Sequence, residues 1–270
     1  MNNFVQRTLT GVLFAIVMLG SIYFSKYSFI IIFIIINMVA LLEFYSRTEE
    51  NSLRLIHGIG LVAGSLLLLF ITFWQLGLIP ASYLLLFVAL IFTILAFALF
   101  ESNEKAFTIL GKIFTGLLWI SLPIGLLLWF AISESNYTWQ LVAIPLVLTW
   151  INDVFAYLGG MLFGKHKLAP KLSPKKTIEG SITGIVFTAG AAFAISIYVG
   201  TQSAFVWLIL GVIIAVSAIF GDLVESKWKR GLGIKDSGKL LPGHGGLLDR
   251  FDAFLFVIPF YVIFIKLFVS

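Results

Sequence analysis

The 270-residue chain contains no cysteine. Disulfide frameworks and thiolate metal sites are therefore excluded, and the sequence carries no sign of redox compartment. Charge is also scarce. Only 11% of residues are Asp, Glu, Lys or Arg, against about 25% in an average soluble domain. With 60% hydrophobic residues and a mean hydropathy of +1.06, the composition is that of an integral membrane protein. The alternating pattern of a transmembrane barrel is missing, so the apolar runs read as helices. Also missing are a His-Glu-x-x-His pair, a Gly-x-Ser-x-Gly elbow, long linkers, low-complexity tracts and any convincing internal repeat. Nothing points to a nucleic-acid partner.

What is present is a series of apolar runs at 9–24, 28–45, 55–74, 78–100, 109–132, 138–163, 181–200, 204–221 and 250–268. The predicted fold is an all-α, polytopic helical bundle of about nine transmembrane spans. The run at 9–24 follows Arg7 like a signal peptide. It lacks a clear small-x-small cleavage site and is followed at once by a second apolar run, so it reads as the first span. Of the 18 Lys and Arg residues, all but Lys26 and Lys266 fall on alternate connections. By the positive-inside rule this sets the N-terminus in the cytoplasm of a cell (inner) membrane and the C-terminus outside. The two richest loops, 164–180 and 222–250, then share the cytoplasmic face. Residues 1–137 read as five scaffolding and dimerising spans, and 138–270 as four catalytic spans with two basic cytoplasmic loops. Gly160 to Gly164 and Gly180 to Gly184 have small-xxx-small spacing.

The stretch 226–252 is the polar exception to this greasy background. It holds Lys227, Lys229, Arg230, Lys235, Lys239 and Arg250 beside Asp236, Asp249, Asp252 and His244. Such an interleaving of both signs with Pro242-Gly243-His244-Gly245-Gly246 is unlike a plain solvated connection. Just upstream, Asp222, Glu225, Ser226 and Lys229 stand at i, i+3, i+4 and i+7, on one helix face. A carboxylate at the membrane edge needs a cationic partner. That partner is either a bound cation or, as a helix-end ion pair, Lys229 or Arg230. Asp249 and Asp252 share the first turn of the ninth span, where carboxylates also serve as ordinary N-terminal capping groups. If the two acidic helix ends converge, they suit a hard divalent ion such as Mg²⁺ holding phosphate oxygens.

Asp153 lies about ten residues inside the sixth span, roughly 15 Å deep at helical rise. It shares a face with Tyr157 and Gly160, so a polar pocket opening to the cytoplasm is one reading. A buried structural hydrogen bond of Asn152 or Asp153 is the other. The loop 164–180 brings five lysines against Glu179. It reads either as a solvated positive-inside loop or as a shaped phosphate site built on Ser173-Pro174-Lys175-Lys176-Thr177. Gly233 to Lys239 nearly spells a P-loop, but Leu240 follows where Ser or Thr is needed, and no strand precedes it. His57 and His166 read as surface residues. His244, flanked by glycines, suits either close approach to a phosphate or loop packing.

Two blocks of these residues resemble the phosphatidate cytidylyltransferase family, also called CDP-diacylglycerol synthases. One runs from Ser226-Lys227 through Lys229-Arg230, Lys235-Asp236 and Leu241-Pro242-Gly243-His244-Gly245-Gly246 to Asp249-Arg250 and Asp252. The other runs from Asn152-Asp153 and Tyr157 through Lys171, Ser173, Lys175, Lys176 and Thr177 to Glu179-Gly180. The resemblance covers the C-terminal half. It implies CTP and phosphatidate as substrates, CDP-diacylglycerol and pyrophosphate as products, and a homodimer. It further implies dependence on Mg²⁺, with a second, monovalent cation such as K⁺.

In that reading Asp222 and Asp249 hold the metal on the CTP phosphates. Lys227, Arg230, Lys235 and Arg250 clamp the triphosphate and the leaving pyrophosphate. Lys171, Ser173, Lys175, Lys176 and Thr177 hold a phosphate of either substrate, and Asn152, Asp153 and Tyr157 line the cavity. Glu179, Ser226, Asp236, His244, Gly245, Gly246 and Asp252 complete the substrate-binding set. Two rivals stand beside it: a transporter of an anionic solute, and another CTP-dependent lipid enzyme such as a polyprenol kinase. A transporter needs a midplane site reachable from both sides, whereas here the charge is piled on one face.

Overall fold

The computed structural model describes residues 3–47, 54–97, 99, 106–133, 136–199, 203–238 and 245–269. It is helical throughout, apart from one small hairpin. The helices are α1 (Asn3–Phe24), α2 (Lys26–Ser46), α3 (Arg54–Gln75), α4 (Leu84–Phe97), α5 (Ala106–Gly116), α6 (Leu122–Ala131), α7 (Gln140–Phe163), α8 (Ile178–Val199), α9 (Ala204–Gly231) and α10 (Leu248–Phe268). Helices α5 and α6 run on through a π turn at Leu117–Ser121 and together form one span. Among the described residues, seven helical segments are long and apolar enough to cross a membrane; Leu9–Phe24 and Ala81–Ala96 are shorter apolar helices. The protein is therefore an all-α polytopic membrane protein, and each predicted apolar run lies on a helix.

Two predicted boundaries move, each for a local reason. The fourth run starts later than residue 78. Gly77 takes φ 72° at the end of α3, where the Leu78 N–H donates to the Phe73 carbonyl at 2.9 Å, the left-handed helix stop that favours glycine. Pro80 then holds an extended backbone before the next helix begins. The eighth run overshoots its predicted end at 221, because α9 continues to Gly231. Residues 222–231, counted within the connection 222–250 although Asp222 to Lys229 were read on one helix face, are helical. Lys229 pairs with Glu225 one turn earlier, and Lys229 and Arg230 suit the negative end of the helix. Arg230 Nη1 donates to the Ile234 carbonyl at 2.8 Å, and Gly233 at φ 68° turns the chain away.

By its internal packing the chain forms two units. The first comprises Met1–Trp139 together with Ser237–Asp249. Its first turn, α1 to α2, needs a single linking residue. Ser25 accepts from the Ser28 N–H and Ser28 Oγ accepts from the Ser25 N–H, both at 3.1 Å, a reciprocal cap. Polar contacts cross the core. Tyr45 donates to the Ile113 carbonyl at 3.0 Å, and Ser121 donates to Asn37 Oδ1 at 2.8 Å. Gly60 and Gly116 make the slot for the Tyr45 ring; a Cβ at Gly60 would stand 2.6 Å from it.

The second unit comprises Gln140–Asp236 and Arg250–Ser270. Helices α7 and α8 pack through small residues, as the glycine spacing suggested. A Cβ on Gly180 would meet the Ala156 carbonyl at 2.5 Å and Gly160 Cα at 3.0 Å, so the backbones touch. Between these helices a hairpin forms, which the sequence did not suggest. Strands β1 (Lys167–Ala169) and β2 (Ser173–Thr177) pair antiparallel. Thr177 ends the hairpin and caps α8: the Gly180 N–H donates to its Oγ1 at 3.2 Å.

Candidate active site

Within the second unit, three carboxylates meet. Asp222 and Glu225 are one turn apart on α9, and Asp252 comes from α10. One oxygen of each lies within 4.8 Å of the other two. The meeting depends on Gly221. A Cβ there would stand 2.6 Å from Phe256 Cβ, 2.9 Å from the Asp252 carbonyl and 3.0 Å from Ala253 Cα, so only glycine lets the helices approach this closely. Glu225 is fully buried and Asp252 nearly so. Their carboxylate oxygens lie within 4.8 Å of each other. Two carboxylates this close in a buried setting need a shared proton or a cation between them. Lys229 pairs with Glu225, and Lys176 of β2 pairs with Asp222. Three acids against two lysines leave a site whose oxygen donors fit a hard divalent cation.

The sequence offered Asp222 either a bound cation or an ion pair with Lys229 or Arg230; the ion pair it makes instead reaches back to Lys176 of the hairpin. Strand geometry explains why Lys176 serves and Lys175 does not. Successive strand residues point to opposite faces, and Lys175 is exposed while Lys176 is partly buried. Lys171 is exposed in the hairpin turn, and Ser173 opens β2 opposite Ala169. Glu179 is occupied inside the loop. It accepts from the Lys165 N–H at 3.0 Å and lies 2.6 Å from His166 Nδ1, so His166 is tied down as well as exposed. Asn152 is buried, its Oδ1 against Gly184. Asp153 is exposed on α7, in the electrostatic range of Lys176, Asp222 and Arg250. Tyr157 is 70% exposed. Ser226 is buried on α9, whereas Lys227, Arg230, Lys235, Asp236 and Arg250 are exposed.

Asp249, expected to share its face with Asp252, addresses other groups. A helix turns about 100° per residue, so carboxylates three apart diverge by roughly 60°. In the first unit, Asp249 accepts from the Ser237 N–H at 2.9 Å and the Gly246 N–H at 2.8 Å. It thereby holds both ends of the glycine-rich loop together. Gly245 takes φ 81° and Gly246 is buried. His244 and Lys239 lie outside the described residues.

Residues 5–268 match the Cytidylyltransferase family. The chain belongs to that family. Among its relatives, the phosphatidate cytidylyltransferase of Bacillus subtilis (strain 168) is 35% identical over 275 residues, covering 97% of this chain and 98% of the relative. The phosphatidate cytidylyltransferase of Staphylococcus aureus (strain COL) is 33% identical over 261 residues, covering 94% and 95%. That of Staphylococcus epidermidis reaches 40% over 185 residues, 68% of this chain and 66% of the relative. The family match begins in α1, so it extends over the first five spans as well as the two sequence blocks.

Two acids of this cytidylyltransferase escaped the site prediction. Glu225 was placed on the right helix face but not among the site residues. Glu43 was missed altogether, although an acid within the apolar run 28–45 is a functional signal in itself. Its carboxylate sits in the first unit against Ser237, Leu247 and Leu248.

Proposed function

We infer that the protein transfers CMP from CTP to phosphatidate, giving CDP-diacylglycerol and pyrophosphate in phospholipid biosynthesis. The observation that carries this reading is the meeting of Asp222, Glu225 and Asp252 beside Lys176 and Lys229, in a chain of the cytidylyltransferase family. The chemistry needs no general base. A phosphatidate phosphate oxygen is already anionic; it forms a bond to the α-phosphorus of CTP while the bond to the β-phosphate oxygen breaks. The obstacle is the repulsion between an anionic lipid head and a triphosphate. Positioning and charge neutralisation therefore supply the rate.

A Mg²⁺ ion would neutralise and orient the CTP phosphates. Asp222 is its principal ligand in this reading, with Asp252 and Glu225 beside it. Asp249 remains the proposed second acidic ligand, on its match to the family signature. A monovalent cation such as K⁺ is the proposed second ion. Lys176 holds positive charge at the site. Lys227, Arg230, Lys235 and Arg250, all exposed, are the proposed clamp for the triphosphate and the departing pyrophosphate. Lys171, Lys175 and Ser173 are proposed to meet a substrate phosphate, with Asp153 and Tyr157 at the cavity wall. The proposed topology has nine spans, the N-terminus and active site in the cytoplasm, and two copies per assembly.

The experiment is to incubate the purified full-length protein with CTP, phosphatidate and Mg²⁺. Pyrophosphate release with formation of CDP-diacylglycerol is expected, and its loss in Asp222→Asn protein that still inserts and purifies. CDP in place of pyrophosphate would make the enzyme a kinase, and full activity of Asp222→Asn would remove the metal assignment.

A further inference from the structure

Glu43 lies in the last turn of α2, far in sequence from every motif discussed above. It accepts from the Leu247 N–H at Oε1, 2.9 Å, and from the Leu248 N–H at Oε2, also 2.9 Å. Ser237 Oγ donates to Oε2 at 3.1 Å. One turn further along α2, Arg47 Nε donates to the Ser237 carbonyl at 2.7 Å. Leu247 and Leu248 stand at the start of α10, where the first N–H groups of a helix have no partner within it. Glu43 thus caps a helix some 200 residues away and, through Ser237, holds the other end of the same loop.

The fit around Glu43 is tight. A Cβ on Gly238 would stand 2.7 Å from Glu43 Cδ, and one on Gly246 would stand 2.5 Å from Glu43 Oε2 and 2.6 Å from the Gly238 nitrogen. Ser237 is fully buried. Two carboxylates therefore work on the same pair of loop ends: Asp249 takes the Ser237 and Gly246 amides, and Glu43 takes the Ser237 hydroxyl and the next two amides. All of these residues belong to one unit.

We propose that Glu43, assisted by Arg47, is a positioning residue that fixes the two described ends of the connection before α10, at Ser237–Gly238 and at Gly246–Leu248, for nucleotide handling. This rests on the cytidylyltransferase reading above. The role belongs to the carboxylate specifically. A glutamine at this position must turn its amide donor toward either the Leu247 or the Leu248 N–H, setting donor against donor.

The test compares wild-type, Glu43→Gln, Glu43→Asp and Ser237→Ala full-length proteins in detergent micelles. Initial pyrophosphate release is measured against CTP and against phosphatidate, with thermal midpoint and amide exchange over 237–249 as activity-free readouts. Glu43→Gln should lower kcat/KM for CTP by roughly 10- to 100-fold, the usual cost of removing a supporting contact. The KM for phosphatidate should stay unchanged, and loop amides should exchange faster. Glu43→Asp, which keeps the charge, should recover part of the loss.

Wild-type kcat/KM with unchanged exchange in Glu43→Gln overturns the proposal. So does a loss spread equally over both substrates and tracking the fall in thermal midpoint. If Glu43→Gln fails to fold, Ser237→Ala decides: a several-fold loss toward CTP at an unchanged thermal midpoint supports the clamp, and unaltered kinetics refute it. A wild-type protein that releases no pyrophosphate overturns the enzymatic reading; the exchange measurement then judges the loop clamp by itself.

Discussion

Replacing Gly221 by alanine tests the acidic site without touching a charge. The added Cβ would lie 2.6 Å from Phe256 Cβ, 2.9 Å from the Asp252 carbonyl and 3.0 Å from Ala253 Cα. None of these atoms is the free end of a flexible side chain. Ordinary contact starts at about 3.4 Å, so the three contacts must open by roughly 0.4–0.8 Å. The global cost is modest. Overpacking of this kind typically costs about 1–3 kcal/mol, and alanine returns up to about 1 kcal/mol of helix propensity. The local cost is larger. Mg²⁺ holds its oxygens at about 2.0–2.1 Å with little tolerance, and a misplacement near 1 Å can cost about 100-fold in rate. We expect Gly221→Ala to fold, to lose about 100-fold in kcat, and to need more Mg²⁺ for half-maximal rate. The assay is pyrophosphate release over a Mg²⁺ series, beside a thermal melt. Gly111→Ala is the control, because its Cβ would meet nothing within 4 Å. Wild-type kcat and Mg²⁺ response in Gly221→Ala would refute the link between helix approach and the acidic site.

The hairpin makes its two adjacent lysines unequal. Lys176→Ala should raise the KM for a phosphate-bearing substrate and lower the rate markedly more than Lys175→Ala, since only Lys176 reaches Asp222; equal effects in steady-state kinetics would contradict the strand geometry. Thr177→Ala should cost about 1 kcal/mol of stability through the lost α8 cap, seen as a lower thermal midpoint. If it instead raises the KM for one substrate with no change in stability, Thr177 is a substrate ligand and its capping role is secondary.

The helical architecture was legible because most of the runs are long and apolar, and periodicity is hardly needed when a run is greasy on every side. Its ends were less legible where local stereochemistry took over, as at Gly77 and Pro80. The extension of α9 past 221 was legible in part, since Asp222, Glu225, Ser226 and Lys229 were read on one helix face, and Glu225 with Lys229 is a favourable pair one turn apart. Strands β1 and β2 are too short to leave a pattern. Asp222 and Asp252 were marked by their positions at helix ends, but spacing along one helix says nothing about which carboxylates of different helices converge. For that reason Lys176 was predicted as a phosphate ligand without its ion pair to Asp222. Glu43 shows the same limit at greater range: its contacts lie 194 to 205 residues away, beyond any local motif.

The assignment of Ser237–Asp249 to the same unit as Met1–Trp139 bears on how this enzyme can be dissected. A fragment starting at residue 140 would retain α7 to α10, the hairpin and all three clustered carboxylates. It would lack Glu43 and Arg47, leaving the buried Ser237 hydroxyl and the opening amides of α10 without acceptors inside the bilayer-embedded protein. Expression of residues 140–270 alone would separate Ser237 and the start of α10 from the acid and the arginine that hold them.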